Sequence, residues 1–311
     1  MFEGLVLPPD RALGVTVPAS TSNLGSGFDV LGLALDLRLR VTVEGRAEAH
    51  TVAVEGPAEV EWPTRDDLLL SSFDRAQKAF AGTGAGRRFR VRSEVPIGRG
   101  LGSSGAAVAA GLLLGAALAP REVTREDLMA LGLAVEGHPD NVAPALYGGC
   151  VIAVPRIGTA PRIVSVELHP GLRFCLAWPV SQLSTKVARE LLPAEVPFAD
   201  AVFNPRRLAL LLEGLRSGDA ELLALGAEDR LHVRHRMPHV PGGAAALDAA
   251  RDAGAWCATL SGSGTALFAI ADAEHAQAVA GAMESELRRA DGQAWSRVVE
   301  AVLDAPSPFL V

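Results

Sequence analysis

The sequence predicts an α+β protein built from two successive halves, and three observations carry that reading. Strand-like and helix-like segments are interleaved along all 311 residues. A stretch bearing Pro and Gly at 155–161 interrupts them near the middle, which places one domain at 1–158 and a second at 159–311. Neither half keeps the regular strand–helix alternation of a doubly wound parallel sheet.

In chain order, Gly14–Val17 and Leu37–Val43 are predicted strands, β-branched and, in the second, alternating; the polar segment Pro18–Phe28 separates them. Asp67–Phe80 spaces Leu and Phe as a helix does, and Arg88–Val95 alternates as a half-exposed strand. The strand runs into a glycine-rich loop and then a helix of small residues over Ala106–Ala119. A further helix at Leu128–Val135 stops at Gly137-His138-Pro139, and Gly148-Gly149 leads into a strand at Cys150–Val154. The second half reads as strand Arg173–Trp178, helices within Arg206–Leu225, a helix near Ala244–Ala253, and strands Trp256–Leu260 and Thr265–Ala271. Helix Ala273–Ala290 and a final strand, Ser296–Val302, complete it.

Bulk properties exclude several classes. With 49% hydrophobic and 21% charged residues the chain can build a core in each half. A net charge of −7 argues against a broad nucleic-acid surface, leaving small molecules or protein as partners. Cys150, Cys175 and Cys257 are far apart and lack metal or disulfide spacing, as expected in a reducing cytoplasm. Glu3 and the lack of a basic stretch before an apolar run speak against a signal peptide, and Gly105–Ala119 is shorter than the roughly 20 residues a bilayer span needs. Lys78 and Lys186 are the sole lysines, and neither sits in a Walker or Schiff-base context.

The segment richest in chemistry is Pro96-Ile97-Gly98-Arg99-Gly100-Leu101-Gly102-Ser103-Ser104-Gly105. Its glycines permit positive φ and close approach of the backbone to a ligand. The following helix, with Ser103 or Ser104 expected at its N-cap, offers free N–H groups to a polyphosphate. A glycine-rich turn before a buried helix is the plainer reading. The loop lacks the lysine of a Walker motif, and it lies too late in the chain for a dinucleotide fingerprint.

Pro96-x-x-x-Gly100-Leu101-Gly102-Ser103-Ser104 resembles the phosphate loop of the GHMP kinases. Pro18-Ala-Ser-Thr-Ser-Asn-Leu-Gly-Ser-Gly-Phe-Asp29 is similar to that family's N-terminal motif, and Leu260-Ser-Gly-Ser-Gly-Thr-Ala-Leu-Phe268 to its C-terminal one. Glu136-Gly-His-Pro-Asp-Asn-Val-Ala-Pro-Ala-Leu-Tyr-Gly-Gly149 and Leu183-Ser-Thr-Lys-Val-Ala-Arg189-Glu-Leu-Leu-Pro193 resemble the branch acting on homoserine. The resemblance implies a two-domain fold, ribosomal protein S5 domain 2-like at the N-terminus and ferredoxin-like at the C-terminus. It further implies ATP-dependent, Mg²⁺-assisted phosphorylation of the L-homoserine hydroxyl in threonine biosynthesis, by a cytoplasmic homodimer. A mevalonate-type kinase and a non-catalytic ligand-binding relative are the alternatives.

The resemblance also implies a site. Pro96, Gly98, Arg99, Gly100, Leu101, Gly102, Ser103, Ser104, Gly105 and Ala106 would hold ATP, and Ser104 and Glu136 the metal. A zwitterionic substrate calls for guanidinium groups at its carboxylate, for which Arg189 and Arg236 are candidates, and a carboxylate with an amide at its ammonium, for which Asp29 and Asn23 serve. Asp140, Asn141 and His138 would surround the hydroxyl, with Thr185 and Gly262 closing the pocket. Whether Asp140 acts as a base or Asn141 only orients the hydroxyl stays open. So do the structural alternatives: a solvated arginine, a helix-capping Asp29, a turn-forming Asn23. His232, His235 and His239 have metal-like spacing, but no carboxylate or cysteine cluster accompanies them and Arg234 and Arg236 would repel a cation. Departures from the family pattern are Gly105 in place of Ala, Thr265 in place of Pro, and Asp67 where an Asn assists the nucleotide.

Overall fold

The computed structural model describes residues 11–55, 62, 67–82 and 84–311; the reading of the N-terminus at Glu3 lies outside them. In chain order the strands are β1 (Leu13–Asn23), β2 (Gly27–Ala47), β3 (Thr51–Glu55), β4 (Gly86–Ser93), β5 (Cys150–Arg156), β6 (Thr159–Val166), β7 (Arg173–Pro179), β8 (Cys257–Leu260), β9 (Leu267–Ala271), β10 (Ala294–Val299) and β11 (Phe309–Leu310). The helices are α1 (Leu68–Phe80), α2 (Ser103–Ala117), α3 (Arg125–Glu136), α4 (Val142–Tyr147), α5 (Thr185–Glu190), α6 (Phe198–Ser217), α7 (Ala220–Gly226), α8 (Val233–Arg236), α9 (Gly243–Asp252) and α10 (Ala276–Asp291).

The first sheet is organised on β2. One edge of this 21-residue strand is paired along most of its length by β1. Its other edge is shared: β5 pairs Leu31–Leu33, and β4 pairs from Leu39 onward. Helix α2 explains why one half can be so large. Thirteen of its residues are buried, so it is apolar all round, and it lies between α1, α3, α4 and β1 as the centre of the core. Small residues allow that closeness: a side chain at Gly111 or Gly115 would run into the backbone of α1.

The expected break at 155–161 falls elsewhere. Pro155 lies within β5 and Pro161 within β6, and the two strands form an antiparallel hairpin within the first sheet. The chain leaves that sheet after Val166, because the Pro/Gly cluster builds the hairpin turn rather than a linker. The second sheet is antiparallel in the order β10-β7-β9-β8, with the chain running β7, helices, β8, β9, α10, β10. That is a ferredoxin-like arrangement with its first crossover expanded into α5–α9. The chain then returns to the first sheet, where β11 pairs with β1.

Pro18–Asn23, expected to separate two strands, is instead the second half of β1. Ser20, Thr21, Ser22 and Asn23 are fully or almost fully buried, so no apolar–polar alternation marks the strand. Their polar groups are paired across the molecule, as burial requires. It is these pairings that build the site.

Candidate active site

A cleft of about 780 Å³ opens where the two sheets meet. It gathers Asn23, Asp29, Gly98, Gly100, Gly102, Ser103, Ser104, His138, Asp140, Asn141, Thr185, Arg189, Arg236 and Gly262 from six separate stretches of sequence.

The glycine loop forms one wall. Gly98, Gly100 and Gly102 all have positive φ, at 71°, 78° and 67°. A side chain at Gly100 would strike the Ser261 carbonyl, and one at Gly102 the Ser20 hydroxyl, so the loop is wedged between β1 and the β8–β9 turn. The N-cap differs from the expected serine: Gly102 occupies it with no side-chain cap, and Ser103 and Ser104 begin the helix itself. The first-turn N–H groups are therefore uncapped by any side chain and lie beside the cleft, a suitable setting for an anion. Leu101 and Ala106 are completely buried and Gly105 packs against Asn141, so these three support the loop from beneath. Arg99 departs from expectation. Between two positive-φ glycines its side chain turns out of the cleft, donating through Nε to the Pro179 carbonyl (2.8 Å) and through Nη2 to that of Val180 (3.0 Å). Pro96 lies on that outer side too.

Beside the helix start, Ser104 Oγ donates to Glu136 Oε2 at 3.2 Å. Burial raises the Glu136 pKa, against the opposing pull of His138 and the Ser104 hydrogen bond. His138 donates through Nδ1 to Asp140 Oδ1 (2.8 Å), and its Nε2 stands 3.6 Å from Glu136 Oε2. Burial disfavours imidazolium, but the two carboxylates outweigh it and the His138 pKa ends above its ordinary value. Ser104 and Glu136 present hard oxygen donors next to the loop, which fits Mg²⁺, an ion that takes one or two protein ligands and completes its shell with phosphate and water.

Asn141 precedes α4 and is fixed from both ends: Ser20 Oγ donates to its Oδ1 at 3.0 Å, and its Nδ2 donates to Ser22 Oγ at 3.1 Å. Ser20 and Ser22 stand two apart on β1 and so point to the same side. The sequence reading missed both. No periodicity signals them, because their neighbours Thr21 and Asn23 are polar and buried as well.

Opposite lies the charged end. Asn23 (φ 72°), Leu24 (φ 47°) and Asp29 (φ 55°) all adopt a left-handed backbone, unusual outside glycine and concentrated here at the cleft. Asn23 explains how the turn holds. Its Oδ1 accepts from the Asp29 N–H (2.9 Å), and its Nδ2 donates to the Gly262 carbonyl (2.9 Å). Asn23 is thereby occupied in shaping the pocket. Asp29 faces Arg189, presented by α5, whose Ser184 N-cap accepts from Val187 N–H. Thr185 Oγ1 lies 3.4 Å from Ser263 Oγ, across the mouth of the cleft.

Arg236 is only 2% exposed, yet among the described residues no carboxylate lies within 4.0 Å of it. It donates instead to neutral groups, Nε to the Ala188 carbonyl (3.2 Å) and Nη1 to that of Gly262 (3.3 Å). A buried cation held only by neutral partners at a cleft wall is suited to an anionic ligand. Of the three spaced histidines, His232 is buried behind Arg236 with Nε2 2.9 Å from the Gly25 carbonyl, an arrangement that packs a cation rather than binding a metal.

A glycine-rich anion loop, an acid–hydroxyl pair beside it and a pocket with fixed charges of both signs define a small-molecule phosphotransferase. Residues 67–149 match the family model of the GHMP kinases N terminal domain, and residues 211–289 that of the GHMP kinases C terminal. The homoserine kinase of Synechococcus sp. (strain RCC307) is 41% identical over 277 residues, 87% of each protein. The crystal structure of homoserine kinase from Cytophaga hutchinsonii superposes with a TM-score of 0.84 at 26% identity, covering 98% of this chain and 99% of that one. L. major mevalonate kinase shares the fold at a TM-score of 0.71 and 13% identity, over 95% and 99% of the two chains. The chain belongs to the homoserine kinase family of the GHMP kinases.

Proposed function

We propose that this enzyme transfers the γ-phosphoryl group of ATP to the side-chain hydroxyl of L-homoserine, giving O-phospho-L-homoserine and ADP, a step of threonine biosynthesis. The observation that carries the substrate is the charged end of the cleft: a buried guanidinium without a carboxylate, Arg236, beside the Asp29–Arg189 pair. A zwitterion inserted there places its carboxylate on Arg236 and Arg189 and its ammonium on Asp29. A mevalonate-like acid lacks the ammonium and would leave Asp29 without its new partner.

The uncapped N–H groups of Ser103 and Ser104 and the dipole of α2 bind the phosphates. A neighbouring apolar cavity lined by Leu39, Trp62, Val95, Ile97 and Ala107 takes the adenine. Asp67 does not reach for the base. Its carboxylate caps α1 at the Leu69 and Leu70 N–H groups and accepts from Trp62 Nε1 at 2.8 Å, which secures the cavity wall. Ser104 and Glu136 hold Mg²⁺, which supplies charge neutralisation on the phosphates when bound. Asn141, locked by Ser20 and Ser22, orients the substrate hydroxyl. Asp140, oriented by His138, accepts its proton as the loose transition state collapses. Most of the rate enhancement comes from positioning and charge, as this chemistry requires. The family resemblance supports a homodimer as its assembly.

An ADP-release assay with ATP–Mg²⁺ tests the substrate directly. Turnover with L-homoserine far above that with L-serine, L-threonine or mevalonate is expected; no turnover with homoserine overturns the proposal.

A further inference from the structure

The guanidinium of Arg236 is itself held by a second buried group. His232 is fully buried, its ring stacked on Phe28 at 4.8 Å and 21°, and Phe28 in turn lies under Arg236 at 5.3 Å from its ring centre. Arg236 Nη1 is 3.3 Å from His232 Nδ1, while His232 Nε2 is 2.9 Å from the Gly25 carbonyl. A guanidinium only donates and a carbonyl only accepts, so these two contacts admit one tautomer: proton on Nε2, lone pair on Nδ1. We propose that neutral His232 is the positioning residue for substrate recognition, its Nδ1 lone pair aiming the Arg236 guanidinium at the substrate carboxylate. The proposal rests on the reading of Arg236 given above.

The surroundings keep the imidazole neutral. Burial lowers its pKa foremost, and Arg236 lowers it further; Asp229, with Oδ2 3.7 Å from Nε2, and the more distant Asp29 pull the other way without prevailing. The Asp229 carboxylate is committed elsewhere. Its Oδ1 accepts from the N–H groups of Leu231, His232 and Val233, and its Oδ2 from Asn204 Nδ2. That arrangement anchors the start of α8 and thereby fixes where residues 232 and 236, one helical turn apart, stand relative to each other.

Two conservative substitutions separate positioning from mere support. In His232→Asn the amide oxygen stands where Nδ1 stood and accepts from Arg236, but the contact with Gly25 is lost. In His232→Gln the amide reaches Gly25 and no acceptor remains for Arg236. The readout is the ratio of kcat/KM for L-homoserine to that for 3-aminopropan-1-ol, which has the same ammonium and hydroxyl but no carboxylate. The proposal predicts that Gln lowers this ratio about tenfold, the worth of one charge-assisted hydrogen bond, while Asn keeps most of it. The reverse order, or equal loss with both substrates, overturns it, because His232 then only supports the turn at Gly25. Arg236→Leu distinguishes the premise: if that change leaves the ratio intact, Arg236 does not bind the carboxylate and both readings fall. If the ratio collapses in Arg236→Leu but not in His232→Gln, only the role of His232 is lost.

Discussion

Asp29 and Arg189, 160 residues apart in sequence, meet in a two-pronged ion pair across the mouth of the cleft: Arg189 Nη1 donates to Oδ2 at 3.0 Å and Nη2 to Oδ1 at 2.8 Å. Each side chain is about one-third exposed, so the pair costs little to open and is worth little as a stabilising bridge. Its use is in binding. A zwitterion finds both of its counter-charges already in place. Asp29→Asn is therefore expected to raise KM for homoserine by roughly tenfold or more while moving the melting temperature little. Steady-state kinetics at saturating ATP, with a thermal melt of the same variant, check this.

Gly100 has φ of 78° and stands against the Ser261 carbonyl, so Gly100→Ala has no strain-free solution. The substitution is expected to cost about 1–3 kcal/mol of stability and to weaken ATP much more than homoserine. Denaturant unfolding and calorimetric titration with a non-hydrolysable ATP analogue measure the two effects.

The Ser104–Glu136 pair carries a separate expectation. Glu136→Gln keeps the hydrogen bond to Ser104 and removes the charge. ATP binding in the absence of Mg²⁺ should persist, while the tightening produced by added Mg²⁺ falls by about tenfold. Titrating ATP into both forms with and without the metal decides it.

His138 makes stability depend on pH. Its folded-state pKa is raised above the ordinary 6.5, burial opposing and the Asp140 hydrogen bond and the charges of Asp140 and Glu136 prevailing. The folded state thus binds the proton more tightly than the unfolded chain. The contribution is complete below pH 6.5 and is lost as pH rises through the raised value. Thermal melts of the ligand-free protein should decline across that window, and in His138→Gln the decline should be smaller.

Asp140→Asn is expected to lower kcat by at least about tenfold, since proton acceptance contributes that much or more, without altering ATP affinity. An unchanged kcat in stopped-time assays would make Asp140 a support for His138 and Asn141 alone.

What could be read from the sequence follows from which forces were at work. The periodic helices were legible: the Leu and Phe spacing over 67–80 marks α1 and the apolar run marks α2, although the capping role of Asp67 was not read. The glycine loop was legible because positive φ at Gly98, Gly100 and Gly102 leaves a residue signature. Strand β1 beyond Pro18 was not. Its buried faces are made of Ser20, Thr21, Ser22 and Asn23, whose partners lie more than a hundred residues away, and no periodicity reports such pairing. The half-exposed β6 was hidden by Pro161 and the short β11 by its length. In the site, residue types named the charges but not their directions. Arg99 faces outward, Asn23 is consumed by the turn at Asp29, and the N-cap of α2 is a glycine rather than a serine.

The most direct measurement is the product itself. The purified protein, incubated with ATP, Mg²⁺ and L-homoserine, should yield ADP and O-phospho-L-homoserine in equal amounts by phosphorus NMR, with the new ester on the side-chain oxygen. ADP and free phosphate without phosphohomoserine would contradict the account.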